Sequence, residues 1–490
     1  MKQNLFLVGL LFGLTSFAAP NTRRHITVVP HPRQMTEMGG FFHAKEVSPA
    51  LFQATRDATL PAEGYRLTVS SNGVAVVAAD EAGEFYALQT LRQLAEPAGE
   101  GVAIPCVKIE DSPAYRWRGL LLDEGRHFFG KGTVKRLLDL MAFHKLNVLH
   151  WTLTQDQGWR IEIKKYPRLT EVGAWRASSP RHWAPDVSDE TPYGPYFYTQ
   201  DDVREIVAYA KARQIMIVPE IEVPGHSLAA IASYPELACG VGEVPSETPC
   251  TWGVKTVLYC VGNEKTWTFL KDVLDEVCAL FPAPYLHIGG DEAPKDCWKE
   301  CPKCQALIRR EKLKDEEALQ VWTAQKLRDY LAKRGKRIMG WQELLEGGVF
   351  EDEVITMHRP NMQGQLAAKG VTLVLSPVDT CYFDYGQGLA NDPFEYPAWA
   401  PVVPLCDIYR FDPSSGVAEA DRARILGAQG NLWSEDIWNE TDLMWKAWPR
   451  SCALAEVLWT APSYRNYSWF CERLEVHLPR LAKFGIVPAR

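Results

Sequence analysis

The chain has 490 residues and a formal net charge of −8 without a long basic run, which argues against a surface that tracks a phosphate backbone, so nucleic acid is not an expected partner. Its length exceeds one average domain and accommodates a large α/β barrel of about 250 residues or more beside a smaller module. An uncharged or weakly polar substrate suits this balance, and aromatics at 11%, with 17 Trp, supply flat rings for stacking on sugar faces as well as for a core.

Residues 1–18 place Lys2 before an apolar run over 5–14 and then Ser16-Phe17-Ala18, the small-x-small pattern of a signal-peptidase site. The run is too short to span a membrane, and no later stretch reaches about 18 uninterrupted apolar residues. The expectation is a leader over 1–18 and an exported protein, periplasmic or secreted, with no membrane insertion after its removal. Twelve Cys fit an oxidising compartment and cluster at Cys239/Cys250/Cys260 and Cys297/Cys301/Cys304. The second cluster supplies three local ligands, which leaves disulfides, free thiols and a structural metal open.

Residues 19–113 read as a small α+β module. Strand-like runs at 65–69 and 74–77 precede a helical stretch over 83–94, and Asp111-Ser112-Pro113 marks a boundary. From 114 to 490 apolar β runs recur at 119–123, 147–153, 215–223, 285–288, 337–341, 354–357, 372–375 and 426–433. Helical periodicity is clear over 134–146, 202–213, 264–280 and 319–334. Eight strands alternating with helices predict a (β/α)8 TIM barrel preceded by the α+β domain, with catalytic groups at the C-terminal strand ends.

That rule selects Arg126 and His127, then Gln155 and Asp156, then Glu220, Glu222 and His226. Later ends add Asp291 and Glu292, Trp341 and Glu343, His358, Tyr382 and Asp384, and Trp433 and Glu435. Asp291 and Glu292 close the run His287-Ile-Gly-Gly-Asp-Glu292. Neighbouring strand residues point to opposite faces, so the two share a site only where the strand ends or bulges, as Gly289-Gly290 permit. An isolated Gly-Gly-Asp-Glu is ordinary acidic-turn composition, but carboxylates paired with tryptophans at successive strand ends favour a cleft.

These residues resemble the family 20 glycoside hydrolases, the β-N-acetylhexosaminidases. The resemblance rests on Arg118-Gly-Leu-Leu-Leu-Asp with Arg126-His-Phe, Lys145-Leu-Asn-Val-Leu-His-Trp151, Asp156-Gln-Gly-Trp-Arg-Ile161, Pro219-Glu-Ile-Glu-Val-Pro-Gly-His226, His287-Ile-Gly-Gly-Asp-Glu292 and Leu432-Trp-Ser-Glu435. It implies an exo-acting, retaining enzyme that removes terminal GlcNAc or GalNAc from a glycan without a cofactor, the substrate's own 2-acetamido oxygen serving as nucleophile. Glu292 would be the general acid and then base, with a pKa nearer neutrality, and Asp291 would stay ionised beside the acetamide. Tyr382 would donate to the acetamido oxygen. Arg126, Asp384 and Glu435 would bind sugar hydroxyls, Trp341 and Trp433 would wall the acetamido pocket, Trp399 would stack on the next sugar, and His226 would back the acid.

Three positions depart from the family pattern. Gln155 stands where an aspartate is usual, so the carboxylate expected behind His226 is an amide; Glu222 replaces an aspartate; and His358 occupies the place of a third pocket tryptophan, where its titration near neutrality would make binding pH-dependent. The alternatives are a related enzyme releasing a disaccharide or a sulfated N-acetylhexosamine, and a non-catalytic sugar-binding protein on the same scaffold. The chain lacks a His-rich ligand set for a catalytic metal.

Overall fold

The computed structural model describes residues 26–181, 184–188, 190–240, 244–348, 353–388, 395 and 401–489. The expected leader over 1–18 lies outside them.

Alternation in Tyr65–Ser70 buries Tyr65, Leu67 and Val69, and the turn at residues 71–72 pairs this strand with Gly73–Ala78. The helix Glu81–Leu94 starts where the Asp80 carboxylate accepts from the Gly83 N–H at 2.8 Å. It lays Tyr86, Ala87, Leu91 and Leu94 on the sheet's apolar face. Two longer strands, Gln34–Ala44 and Gly101–Asp111, join the sheet as an antiparallel pair, and the short strands Thr55–Arg56 and Glu96–Ala98 bring it to six. The first is exposed along nearly its whole length, and so carries no inward apolar alternation for a sequence reading to find.

Eight parallel strands then close a barrel in chain order: Trp117–Asp123, Val148–Thr152, Met216–Glu220, Tyr285–His287, Arg337–Trp341, Val354–Met357, Thr372–Leu375 and Ile425–Leu432. The eighth pairs with the first from Gly427 opposite Trp117 to Leu432 opposite Leu122. The (β/α)8 expectation is met. The third strand is shorter than its apolar run, because beyond Glu220 the backbone continues as loop, with the Val223 N–H still bonded to the Ile288 carbonyl. Trp117, Val148, Val218, Met339, Val354, Val374 and Leu426 plug the interior, so the barrel is a packed core rather than a pore. Helices Gly130–Phe143, Gln200–Lys211, Glu264–Leu280 and Glu316–Ala332 cover its outside.

Arg118 and Lys145, charged members of the quoted motifs, lie away from the cleft. The Lys145 ammonium meets Asp111 at 2.9 Å with both side chains fully buried, and Tyr65 and Trp459 donate to the same carboxylate at 2.7 and 2.8 Å. Arg118 pairs with Glu63 at 2.6 Å. The α+β layer therefore supplies counter-charges to the underside of the barrel.

Candidate active site

The fourth strand ends at His287, and the chain then passes through left-handed backbone at Gly289 (φ +66°), Gly290 (φ +98°) and Glu292 (φ +44°). A Cβ on Gly289 would lie 1.6 Å from a Glu222 carboxylate oxygen, and one on Gly290 2.6 Å from Leu344, so both positions need glycine for space as well as for φ. The turn brings both carboxylates to one imidazole. His226 Nε2 stands 3.4 Å from Glu292 Oε2 and 3.8 Å from Asp291 Oδ2. His226 itself has φ +45°, a conformation that non-glycine residues adopt mainly where surrounding structure enforces it.

The carboxylate behind His226 is Asp156. Its Oδ2 lies 2.9 Å from His226 Nδ1, and its Oδ1 accepts from the Leu228 N–H at 3.1 Å. The expectation that an amide would fill this place is corrected: Gln155 and Asp156 sit at the corner of the hairpin Thr154–Gln155 and Gly158–Trp159, where consecutive side chains diverge. Gln155 donates instead to Glu222 at 3.0 Å. Burial and the neighbouring Asp291 and Glu220 carboxylates push Glu222 well above the usual range.

Burial pushes Asp291 up to about 6, with Glu220 and Glu292 adding to the effect against His226. Glu292 is held below its ordinary value by the hydrogen bond from His226. Burial opposes a charge on His226, but Asp156 and Glu292 outweigh it and raise the imidazole well above its usual pKa. In the free site the proton shared by Glu292 and His226 therefore rests on the ring. This reverses the expected order of the two carboxyls. The cause is position: Asp291 is largely enclosed, whereas the Glu292 side chain is 53% exposed and leans on a cation.

Beneath them, Glu220 accepts from Trp341 Nε1 at 2.9 Å, contacts His287 Nδ1 at 2.7 Å and His150 Nε2 at 3.3 Å, and bonds Thr152. Trp341 is thus tied at its indole N–H and only 1% exposed, so it backs the wall while the half-buried Trp433, 5.7 Å away, faces it. Trp433 also engages the Tyr382 hydroxyl. Burial and the Asp384 and Asp291 charges keep that phenol protonated well past its usual pKa.

Arg126 binds Asp123 at 3.1 Å, approaches Glu435 at 3.5 Å and lies over the Trp433 ring at 5.2 Å. Burial and Glu435 raise Asp384 well above the usual range, opposed by Lys446 and Arg450. His358 lies 5.9 Å from the Trp341 ring and 3.3 Å from Glu343. The expected titration near neutrality falls on the partner. Burial and Arg359 lower His358 to about 4, while burial and Asp291 push Glu343 up to about 7. Trp399 lies outside the described residues.

The site thus unites Asp291, Glu292 and His226 on one side and Arg126, Tyr382, Asp384, Trp433 and Glu435 on the other, with Trp341 and His358 between them. Sequence reasoning passed over Asp123, which orients Arg126, and the pair Lys446 and Arg450. Cations inside the tryptophan-rich run Trp445-Lys-Ala-Trp-Pro-Arg450 were the available signal.

Adjacent carboxylates backed by a histidine and faced by a protonated tyrosine, at the C-terminal mouth of a (β/α)8 barrel lined with aromatic rings, define a barrel glycoside hydrolase. The chain matches the catalytic domain of glycosyl hydrolase family 20 over residues 115–462 and domain 2 of that family over 44–112. It belongs to glycosyl hydrolase family 20. It is 41% identical over 444 residues to a beta-hexosaminidase of Porphyromonas gingivalis, covering 88% of this chain but only 55% of that protein, so it spans about half the relative's length. A beta-hexosaminidase of Akkermansia muciniphila is 32% identical, over 95% of this chain and 92% of its own. The crystal structure of an exo beta-N-acetylglucosaminidase from Vibrio harveyi in complex with N-acetylglucosamine superposes with a TM-score of 0.85 at 32% identity, covering 94% of this chain and 78% of that one.

Proposed function

We propose that the protein is an exo-acting, retaining β-N-acetylhexosaminidase that removes terminal GlcNAc or GalNAc from glycans by substrate-assisted catalysis. The observation that carries this reading is the convergence of Asp291 and Glu292 on His226, with Tyr382 across the cleft. Asp291 accepts from the acetamide N–H and Tyr382 donates to its carbonyl oxygen, so the oxygen is held for attack on the anomeric carbon. Glu292 protonates the departing glycosidic oxygen and later takes a proton from water. Substrate supplies the change that the free site needs: covering the exposed Glu292 removes solvent from its carboxylate, which favours the neutral acid and moves the shared proton from His226 to Glu292. Arg126, Asp384 and Glu435 hold the sugar hydroxyls, and Trp433 and Trp341 close the acetamido side with His358 beside them.

The same reading divides the chain into a leader over 1–18, an accessory layer over 19–113 and a catalytic barrel over 114–490. Export is supported by the Lys2 and apolar-run pattern, and no helix among the described residues is long and apolar enough to cross a membrane.

The test is turnover of an aryl N-acetyl-β-glucosaminide together with inhibition by a GlcNAc thiazoline. The analogue mimics the cyclic intermediate and should compete with substrate and bind more tightly than GlcNAc. A trapped covalent glycosyl-enzyme, or absence of turnover on every terminal N-acetylhexosaminide offered, overturns the reading.

Asp156→Asn tests the proton relay. Removing that carboxylate lowers the His226 pKa, so the Glu292–His226 pair loses its proton at lower pH. The alkaline limb of the kcat/KM profile should move down by about one unit or more, while the acid limb set by Asp291 stays near pH 6. An unmoved alkaline limb would remove His226 from the relay.

A further inference from the structure

Four thiols that take no part in the cleft meet behind its two central loops. Cys239 follows the turn Pro235–Leu237 in the loop after the third strand, and Cys260 precedes the helix Glu264–Leu280. Cys301 and Cys304 open the helix Pro302–Glu311 after the fourth strand. All four are buried, and their sulfurs lie within 4.8 Å of one another. Cys239 and Cys304 are 3.7 Å apart, Cys260 and Cys301 3.7 Å, and Cys260 and Cys304 3.8 Å.

A disulfide holds its sulfurs about 2.05 Å apart. Four thiolates placed tetrahedrally about 2.3 Å from one zinc ion lie about 3.8 Å from each other. The observed spacings are those of ligands around a common centre. Cys260, moreover, stands equally near two sulfurs, an arrangement that no single disulfide satisfies.

The backbone is arranged for the charge of such a centre. Cys301-Pro302-Lys303-Cys304 is a Cys-x2-Cys pair with its first member at the N-cap and its second in the first turn of the helix, so both sulfurs leave the chain at one helix end. The Gly262 N–H is directed at the sulfurs of both Cys260 and Cys304. A Cβ at Gly262 would stand 2.3 Å from the Lys303 carbonyl carbon, so the two cysteine-bearing turns are in direct contact.

We propose that Cys239, Cys260, Cys301 and Cys304 bind one structural Zn²⁺ ion that staples the loop after the third barrel strand to the loop after the fourth. Four Zn–S bonds form as four thiol protons pass to solvent, and no electron is transferred. The coordination is complete with protein sulfur, so the ion has no open position for water and takes no part in hydrolysis. Its effect on the cleft is positional. The Tyr259 N–H bonds the Pro224 carbonyl at 3.2 Å, two residues from His226, and Trp298 Nε1 bonds the Tyr259 carbonyl at 3.0 Å. The staple thereby reaches the loops that carry His226 and Glu292. A fifth buried thiol, Cys297, hydrogen-bonds Cys239 from outside the foursome and is the rival partner for it in a disulfide.

Full-length protein, made in zinc-sufficient cells and purified without chelator, is expected to contain one zinc per chain by elemental analysis. A mercurial reagent should release that zinc as the four thiols react. Cys260→Ser and Cys301→Ser should lose the metal, and Cys406→Ser, outside the cluster, should retain it. If the serine variants fail to fold, the wild-type protein still decides through its metal content and intact mass. Zinc-free protein, a mass lowered by disulfide formation among these cysteines, iron in place of zinc, or full zinc retention in folded serine variants each overturns the proposal. The catalytic consequence alone rests on the proposed hydrolase reading, and the two fail separately: zinc present without turnover of any hexosaminide refutes the reaction and leaves the metal site standing.

Discussion

Glu292→Gln should fold as the native protein does and lose about 10²–10⁴-fold in kcat on substrates with poor leaving groups, because the amide keeps the shape of the side chain and removes only the transferable proton. The His226 contact at 3.4 Å can be retained by the amide oxygen, so the pocket is not expected to collapse. Aryl glycosides whose leaving group departs without protonation should suffer less. The diagnostic measurement is kcat against leaving-group pKa, in which the variant should show a steeper dependence than the wild type. Equal losses on activated and unactivated substrates would take the acid role away from Glu292.

On the proposed mechanism Asp291→Asn removes the charge that would face the acetamide and the developing positive charge, in a site where burial already pushes that carboxyl up to about 6. A loss of about 10²–10³-fold in kcat is expected, comparable to deleting one preorganised electrostatic partner of a transition state. Unlike the Glu292 variant, this one should lose activity on activated and unactivated substrates alike, since formation of the cyclic intermediate is impaired whatever departs. Thiazoline affinity should fall in parallel with kcat. Retained inhibitor affinity would mean that Asp291 does not contact the acetamide-derived ring.

The barrel was legible because each strand is a short apolar run of its own and the closed topology follows from their number and their alternation with helices. The carboxylates were legible because two glycines and two acids fall together at a strand end. Their protonation order was not, since it depends on which of two adjacent residues the fold encloses. Which of Gln155 and Asp156 supports His226 was not legible for a related reason: at a hairpin corner, one position in sequence decides which neighbour a side chain reaches, and no local pattern records it. The thiol cluster was half visible. Cys301 and Cys304 announce themselves by spacing, but Cys239 and Cys260 are 65 and 44 residues from Cys304 and join it only through the packing of two loops.

The contact between the α+β layer and the barrel bears on how such chains can be rearranged. Lys145 and Arg118 belong to the barrel, yet their counter-ions Asp111 and Glu63 are encoded upstream of it. A cut at Pro113 would leave two cations whose partners are gone; water can solvate them, but any new layer packed over them without counter-charges would bury them unpaired, which is costly. The stretch between the strand that ends at Asp111 and the one that begins at Trp117 therefore separates two sheets but not their charges. A barrel transplanted behind a foreign leader, or a chimera exchanging the first module, inherits a debt of two negative charges that the new neighbour must supply at the same places.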